Sequence, residues 1–366
     1  MSMAFSLSLQ QPPESDRVQR FETDRGAVIY QLPLEVFPGF WAYAYLVLVE
    51  DDQVLIDTGS GFGKANEQLE ARLQDVNAQV PNEVGLAHLK YILITHGHID
   101  HFGGLPFARE RSEAQVGIHE LDLRNITNTE ERLTIVARRL EHFLAESGVS
   151  EGRRRELIQL YKLSKLGFTS VSVDFTYEAI GMRLEPFEFL HVPGHCAGQV
   201  VIRLHDVLLC GDHILSHISP HQSPERLVLN TGLGHYLRSL EVLRNWAGDV
   251  RLTLGGHNAP IYDLPRRIEE IKAIHRERLD KILHTLSQPH TVLEVSRLLF
   301  EDVHGYNELL AIEEAGAHME YLYQRGLLGI TNLEELESQN GPVPIRYQRL
   351  EDSNVDTVEG ESHVFI

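Results

Sequence analysis

Residues 91–104 (YILITHGHIDHFGG) constrain this chain most, because a strand pattern runs directly into a dense group of metal-ligand side chains. Residues 91–95 are apolar and rich in β-branched side chains, which predicts a buried strand. Four candidate ligands follow within six residues, namely His96, His98, Asp100 and His101. Imidazole nitrogens and carboxylate oxygens are groups that zinc, iron or manganese accept. The stretch therefore predicts a metal site at the end of a strand.

The same arrangement recurs three times later in the chain. In each case apolar strand residues lead into a glycine and then into a ligand-type side chain. The segments are FLHVPGH ending at His195, VLLCGD ending at Asp212 and LTLGGH ending at His257. One such segment would be weak evidence, whereas four predict a single site assembled from several strand ends.

With these motifs the chain resembles the metallo-β-lactamase-fold hydrolase superfamily. The similarity rests on the His-x-His-x-Asp-His signature at residues 96–101, the later His195, Asp212 and His257, and the strand-Asp-Thr-Gly turn around Asp57. It runs from about residue 25 to 265. The resemblance implies an α/β (α+β sandwich) fold of four αββα layers.

The resemblance also implies a ligand set for two divalent metal ions. His96, His98 and His195 would hold the first ion, and Asp100, His101 and His257 the second. Asp212 would bridge them, and Asp100 would also handle a proton during catalysis. Asp57 would orient a ligand or hold the loop in place, and a plain turn-capping role is the alternative for it. Zinc is the expected metal, with iron and manganese as alternatives.

The domain organisation predicted from the sequence has four parts. They are a flexible N-terminal segment (1–24), a catalytic domain (25–265) with a helical insertion at about 120–170, a winged-helix-like domain (266–335), and a polar tail (336–366). The helical domain is similar to the winged-helix tail of the β-lactamase-like protein 2 branch of the superfamily.

Three residues outside the metal set are candidate substrate contacts. Residues 122–165 carry nine Lys or Arg against seven Asp or Glu, on a chain whose formal net charge is −20. An insertion placed after the metal loop is suited to cover the pocket, where Arg153 would meet an anionic substrate group. A solvated helix face explains the same charges. His221 and Tyr236 are the other two candidates.

Composition bears on partners and location. The net charge opposes non-specific contact with phosphate backbones, and the predicted winged-helix-like domain is acidic too, so nucleic acid is not an expected partner. That domain is expected either to pack on the catalytic domain or to build a homodimer. No apolar run of membrane-spanning length occurs, and the N-terminus is a poor signal peptide, so a cytoplasmic protein is expected. Two cysteines, Cys196 and Cys210, do not make a disulfide framework.

The sequence favours a dinuclear metal hydrolase that directs a metal-bridging hydroxide at a small ester, thioester, lactone or related acyl compound. A phosphodiesterase or endoribonuclease on the same site stays open, although Ile99 stands where tRNA-processing relatives usually carry glycine. An iron-dependent redox enzyme of the same fold is a further alternative. The intact ligand set disfavours a metal-free binding protein.

Overall fold

The computed structural model describes residues 17–165 and 167–350, so parts of the predicted N-terminal segment (1–24) and polar tail (336–366) lie outside the described residues. The first sheet follows chain order, antiparallel at its beginning and parallel from its fourth strand onward. Its strands are β1 (Gln19–Glu22), β2 (Val28–Phe37), β3 (Phe40–Val49), β4 (Asp52–Ile56), β5 (Tyr91–Leu93), β6 (Gln115–Ile118) and β7 (Phe175–Thr176).

The second sheet has the order β12-β11-β10-β9-β8. Its first four strands along the chain form an antiparallel meander, and β12 then pairs parallel with β11. The strands are β8 (Arg183–Leu184), β9 (Phe187–His191), β10 (Val200–Leu204), β11 (Val207–Gly211) and β12 (Leu252–Gly255).

Helices cover the outer faces of both sheets. They are α1 (Ala65–Asn77), α2 (Ile99–Phe102), α3 (Leu105–Arg109), α4 (Leu123–Thr127), α5 (Thr129–Glu146), α6 (Glu151–Leu163), α7 (Leu233–Ala247), α8 (Leu264–Thr285), α9 (Val292–Leu299), α10 (Tyr306–Gln324) and α11 (Leu333–Ser338). A short hairpin of β13 (Leu328–Ile330) and β14 (Tyr347–Arg349) follows the C-terminal helices. None of the helices in the described residues is both long and apolar enough to span a membrane.

The layering follows from strands that are apolar on both faces. In β4, Leu55 packs on the helix side of the first sheet, whereas Val54 and Ile56 pack between the two sheets. In β11, Leu209 faces the space between the sheets and Leu208 faces the helices of the other side. Because neighbouring side chains of a strand point to opposite faces, each sheet has two apolar faces, and both must be covered by another layer. The predicted four-layer αββα sandwich is confirmed.

The C-terminal helices share a core with the second sheet. Ile268 of α8 and Met319 of α10 belong to the same buried cluster as Leu208 and Cys210 of β11. The predicted boundary at residue 265 falls in the first turn of α8, whose start is capped by Asp263 accepting from the Arg266 amide at 3.1 Å. The region is therefore an outer layer of the sandwich as well as a helical extension with a hairpin.

The prediction of a flexible N-terminal segment was wrong for residues 19–22, which form β1, and residues 347–349 of the polar tail form β14. Strands β2 and β3 pair across residues 32–41 although this stretch contains Pro33 and Pro38. Pro33 lies beyond the end of β1, and the Glu35 amide on the same edge donates to the Gln68 side chain at 2.8 Å. The missing Pro33 N–H therefore removes no bond of the sheet.

Candidate metal centre

The candidate ligands come from strand ends that meet on one side of the sandwich. His96 and His98 follow β5, and Asp100 and His101 lie on the short helix α2 directly after them. His195 follows β9, Asp212 follows β11 and His257 follows β12. Since β11 and β12 are parallel, Asp212 and His257 emerge at the same edge. The tight chain path beside them depends on Gly256, where a Cβ would lie 2.4 Å from Asp212 Oδ1.

The structure brings all seven predicted ligands together in two adjoining groups. One group is His96, His98 and His195, and the other is Asp100, His101, Asp212 and His257. Within each group the ligand atoms lie within 4.8 Å of one another. Asp212 links the groups, because its Oδ2 lies 3.6 Å from His195 Nε2 and 3.2 Å from His257 Nε2.

These spacings match ligands of a common ion. Asp100 Oδ2 lies 3.4 Å from His257 Nε2, and Asp212 Oδ1 lies 3.4 Å from His101 Nε2. Two atoms that each bind a tetrahedral ion at about 2.1 Å are separated by about 3.4 Å. The donor set, imidazole nitrogen with carboxylate oxygen, is one that zinc, iron and manganese accept.

Buried atoms without hydrogen-bond partners are an independent indication that the site fits metal ions. His96 Nε2, His101 Nε2, His195 Nε2 and Asp212 Oδ1 are buried and make no hydrogen bond within the described residues. Buried polar atoms are normally hydrogen-bonded, because leaving one unpaired costs about 1–3 kcal/mol. Four such atoms converging on one space are explained by divalent cations that would satisfy them all.

The opposite ring nitrogens are held by the protein, which fixes the direction of each imidazole. The Nδ1 contacts are His96 with Thr95 Oγ1 (3.0 Å), His101 with Asp57 Oδ2 (2.8 Å), His195 with the His221 carbonyl (2.8 Å) and His257 with the Trp41 carbonyl (2.5 Å). With Nδ1–H donating outward in each case, every Nε2 is directed at the centre, where its lone pair would bind an ion. This is the tautomer that a metal ligand requires.

Charge at the centre is divided between the two groups. Burial, together with the neighbouring imidazoles, lowers the pKa values of His96 and His98 well below the ordinary value, so both rings stay neutral. Burial also lowers the pKa of His257, but Asp212 and Asp100 outweigh it and raise the value to about 9. For Asp100, burial raises the carboxyl pKa, and His101 and His257 more than reverse this. The second group thus holds two carboxylates in their ionised form.

Asp57 supports the centre from behind, at the position that the sequence suggested for an orienting residue. It is 1% exposed, its Oδ1 accepts from the Thr95 amide at 2.8 Å, and its Oδ2 accepts from Thr95 Oγ1 and faces His101 Nδ1, each at 2.8 Å. Its backbone has φ of +58°, a conformation that Asp and Asn tolerate better than most residues.

Asp122 is a supporting residue that the sequence did not reveal. It is fully buried, and its Oδ2 accepts from the Gly97 amide at 2.7 Å and from Cys196 Sγ at 3.1 Å. Gly97 lies between His96 and His98, and Cys196 follows His195, so one carboxylate ties together the two loops of the first ligand group. Burial raises the pKa of Asp122, while these hydrogen bonds oppose the shift.

The structure does not support two of the predicted substrate contacts. Tyr236 is fully buried on α7, and its hydroxyl donates to the His213 carbonyl at 2.9 Å, so it is a core residue. Arg153 forms ion pairs with Glu156 and with Glu308 of α10. Its guanidinium is therefore already paired with carboxylates of the protein.

His221 lies at the site in a different role from the predicted one. Its backbone carbonyl accepts from His195, and its Nε2 lies 3.1 Å from the Leu310 carbonyl and 3.8 Å from Glu313 Oε2. The residue therefore connects a ligand histidine to helix α10.

Comparison with known proteins agrees with this geometry. The family model described as "Metallo-beta-lactamase superfamily" matches residues 40–283. A metallo-beta-lactamase family protein from Thermus thermophilus is 27% identical, with a TM-score of 0.66 over 88% of this chain and 98% of that one. A beta-lactamase domain protein from Burkholderia ambifaria is 19% identical and shares the fold, with a TM-score of 0.67 over 92% and 96% of the two chains. No curated protein matches the sequence. The family match spans more than half of the chain, which therefore belongs to the metallo-beta-lactamase superfamily.

Proposed function

We propose that this protein is a dinuclear metal-dependent hydrolase of small ester, thioester, lactone or related acyl compounds. The observation that carries the proposal is the convergence of the unpartnered Nε2 atoms of His96, His101 and His195 with Asp212 Oδ1 on one buried space. Divalent ions bound there would lower the pKa of a bound water to about 7 and polarise a carbonyl oxygen.

The residues of the chain would supply orientation and proton handling. His96, His98 and His195 would hold one ion, and Asp100, His101 and His257 the other, with Asp212 between them. Asp100 retains 15% exposure of its side chain, and its Oδ2 lies 3.4 Å from His257 Nε2. An ionised carboxylate at the open side of the site can accept a proton from water and deliver it to the leaving group.

Charge favours a small acyl substrate over a nucleic acid. The chain has a formal net charge of −20, and the C-terminal helical region from residue 266 to 335 carries thirteen acidic against eight basic residues. A protein surface that binds nucleic acid is normally basic. Acyl transfer to water needs no such surface, which supports the hydrolase over the endoribonuclease alternative.

Metal depletion and reconstitution test this proposal. The full chain would be depleted with a chelator, reloaded with zinc, manganese or ferrous iron, and assayed on acyl esters, thioesters, lactones and bis(p-nitrophenyl) phosphate. We expect metal-dependent turnover of acyl compounds and little of the phosphodiester. Faster turnover of the phosphodiester, or metal-independent acyl turnover, would contradict the proposal.

Ligand variants complete the test. His96→Ala, Asp212→Ala and His257→Ala should each lose bound metal and nearly all turnover. His142→Ala is the matched control, because His142 is exposed on α5 and pairs only with Glu146 among the described residues, at 2.9 Å. Full activity in any of the three ligand variants would refute the assignment of that residue.

A further inference from the structure

The loop between β11 and α7 carries one candidate ligand and orients another. Residues 212–232, all of which the structure describes, join these two elements without forming a helix or a strand. The loop begins with Asp212, and farther along its His221 carbonyl accepts from His195 Nδ1 at 2.8 Å. Because the other ring nitrogen of His195 is directed at the centre, the position of this carbonyl sets the direction of His195 Nε2.

The C-terminal helices α8 and α10 hold this loop from outside through a series of polar contacts within residues 219–225. The contacts are Ser219 Oγ with Arg278 Nη1 (3.0 Å), His221 Nε2 with the Leu310 carbonyl (3.1 Å), the Gln222 amide with Glu314 Oε2 (2.7 Å), Ser223 Oγ with Glu313 Oε2 (3.0 Å) and the Glu225 amide with Glu320 Oε2 (2.6 Å). A segment without regular structure depends on such partners for its conformation. The two helices therefore fix the part of the loop that contacts His195.

Glu314 of α10 makes the contact closest to the ligand along the chain, because Gln222 directly follows His221. Its side chain is buried, with 2% exposure of the residue. While Oε2 accepts from the Gln222 amide, Oε1 accepts from Arg278 Nη1 at 2.6 Å. A buried carboxylate is costly unless it is paired and hydrogen-bonded, and here both oxygens have partners. The carboxylate is therefore held in one orientation.

A single peptide group links Glu314 to His195. The His221 carbonyl and the Gln222 N–H belong to the same peptide bond, which is trans. A trans peptide group is planar, and its C=O and N–H point in opposite directions. His195 therefore donates to one end of the plane while Glu314 accepts from the other. A rotation of this plane that broke one hydrogen bond would also displace the other.

We propose that Glu314 is a positioning residue for the first metal ion and acts on His195 through the peptide group between His221 and Gln222. This inference rests on the dinuclear centre of the hydrolase proposed above. It makes the C-terminal helical layer a part of the metal centre. Loss of the Glu314 carboxylate would weaken the site that contains His195, whereas the second ligand group would keep its affinity.

The test is a zinc titration of metal-depleted, full-length protein in competition with a fluorescent chelator. Glu314→Met removes the acceptor and nearly keeps the side-chain length. It should weaken one of the two zinc sites by about 10-fold, the lower end of the loss typical for a direct partner of a ligand histidine. Adding Asp57→Asn, which disturbs the second group through His101, identifies the site, because both sites should then be weak.

A matched control separates positioning from general loosening of the loop. Glu320→Met removes another carboxylate of α10 that accepts from an amide of the same loop, at Glu225, beyond the segment that contacts His195. It should leave both zinc affinities unchanged. Near-ultraviolet circular dichroism shows whether each variant is folded. If Glu314→Met does not fold, Glu314→Asp takes its place, because it keeps the charge beside Arg278 and draws the carboxylate back from the Gln222 amide.

The outcomes distinguish the role of Glu314 from the function itself. Unchanged zinc affinity in the Glu314 variant, equal weakening of both sites, or an equal effect of Glu320→Met would overturn the positioning role. The same holds if the Glu314 and Asp57 substitutions weaken the same site. Wild-type protein that binds fewer than two zinc ions per chain would instead count against the dinuclear hydrolase, and the inference would fall with it.

Discussion

Replacement of Asp57 by asparagine tests how the second ligand group is oriented. Asn has nearly the same volume and also tolerates the φ of +58° found here, so the backbone can stay in place. Asn Oδ1 can still accept from the Thr95 amide. The new amide group, however, would point its N–H toward His101 Nδ1, which must then accept rather than donate.

This change at Nδ1 would alter metal binding by His101, because it moves the ring proton to the other nitrogen. A His101 that accepts at Nδ1 carries its proton on Nε2, the atom that lies 3.4 Å from Asp212 Oδ1 and would bind the ion. Loss of such an outer partner typically lowers metal affinity by about 10- to 100-fold, or about 1.4–2.7 kcal/mol. The first group, His96, His98 and His195, should keep most of its affinity.

The assay is a competition titration of metal-depleted protein against a fluorescent zinc chelator, which resolves the tighter and the weaker site. Asp52→Asn is the matched control, since Asp52 pairs with Lys90 at the surface at 2.6 Å, far from the ligands in the sheet. Asp57→Asn should weaken one site only. Unchanged affinity at both sites, or equal weakening of both, would refute the reasoning about the His101 tautomer.

The remaining predictions concern two reassigned residues and pH. Arg153→Ala should leave KM unchanged for anionic and neutral substrates and lower the free energy of unfolding by no more than about 1 kcal/mol, because its ion pairs are partly exposed; a selective rise in KM for anions would restore the original assignment. Tyr236→Phe should lose about 1 kcal/mol of stability in denaturant unfolding through the missing bond to the His213 carbonyl, with kcat unchanged, whereas a large drop in kcat would argue for a role at the site. In metal-free protein, the His257 pKa raised from 6.5 to about 9 contributes stability that is fully present below pH 6.5 and is lost as the pH rises through 9. Unfolding in chelator at both pH values measures this loss, and its persistence in His257→Asn would contradict it.

The ligands could be predicted from the sequence because each has a local signal. Apolar strand residues, a glycine and a ligand-type side chain stand next to one another at His195, Asp212 and His257, and the family resemblance joins them to residues 96–101. The structure then adds what no local pattern contains, namely the distances between these strand ends.

The residues that the sequence missed act across distant segments. Asp122 lies in an ordinary charged stretch, and its importance arises only when Gly97 and Cys196 meet it in space. Tertiary contacts of this kind leave no periodicity or spacing in the sequence.

The extent of β2 depends on tertiary contacts of the same kind. Pro33 fits within the strand because β1 ends before it, so the edge is open to a side chain of α1. The helices after residue 265 were predicted as a winged-helix-like domain from their similarity to the tail of one branch of the superfamily. Their apolar faces join the core beneath the second sheet.

The most direct test of the central claim is the metal content of the full-length protein after reconstitution and removal of free ions, measured by elemental mass spectrometry alongside acyl hydrolysis. We expect about two divalent ions per chain, with turnover rising and falling with their occupancy. Protein that hydrolyses acyl compounds at an undiminished rate with essentially no bound metal would contradict a metal-dependent hydrolase.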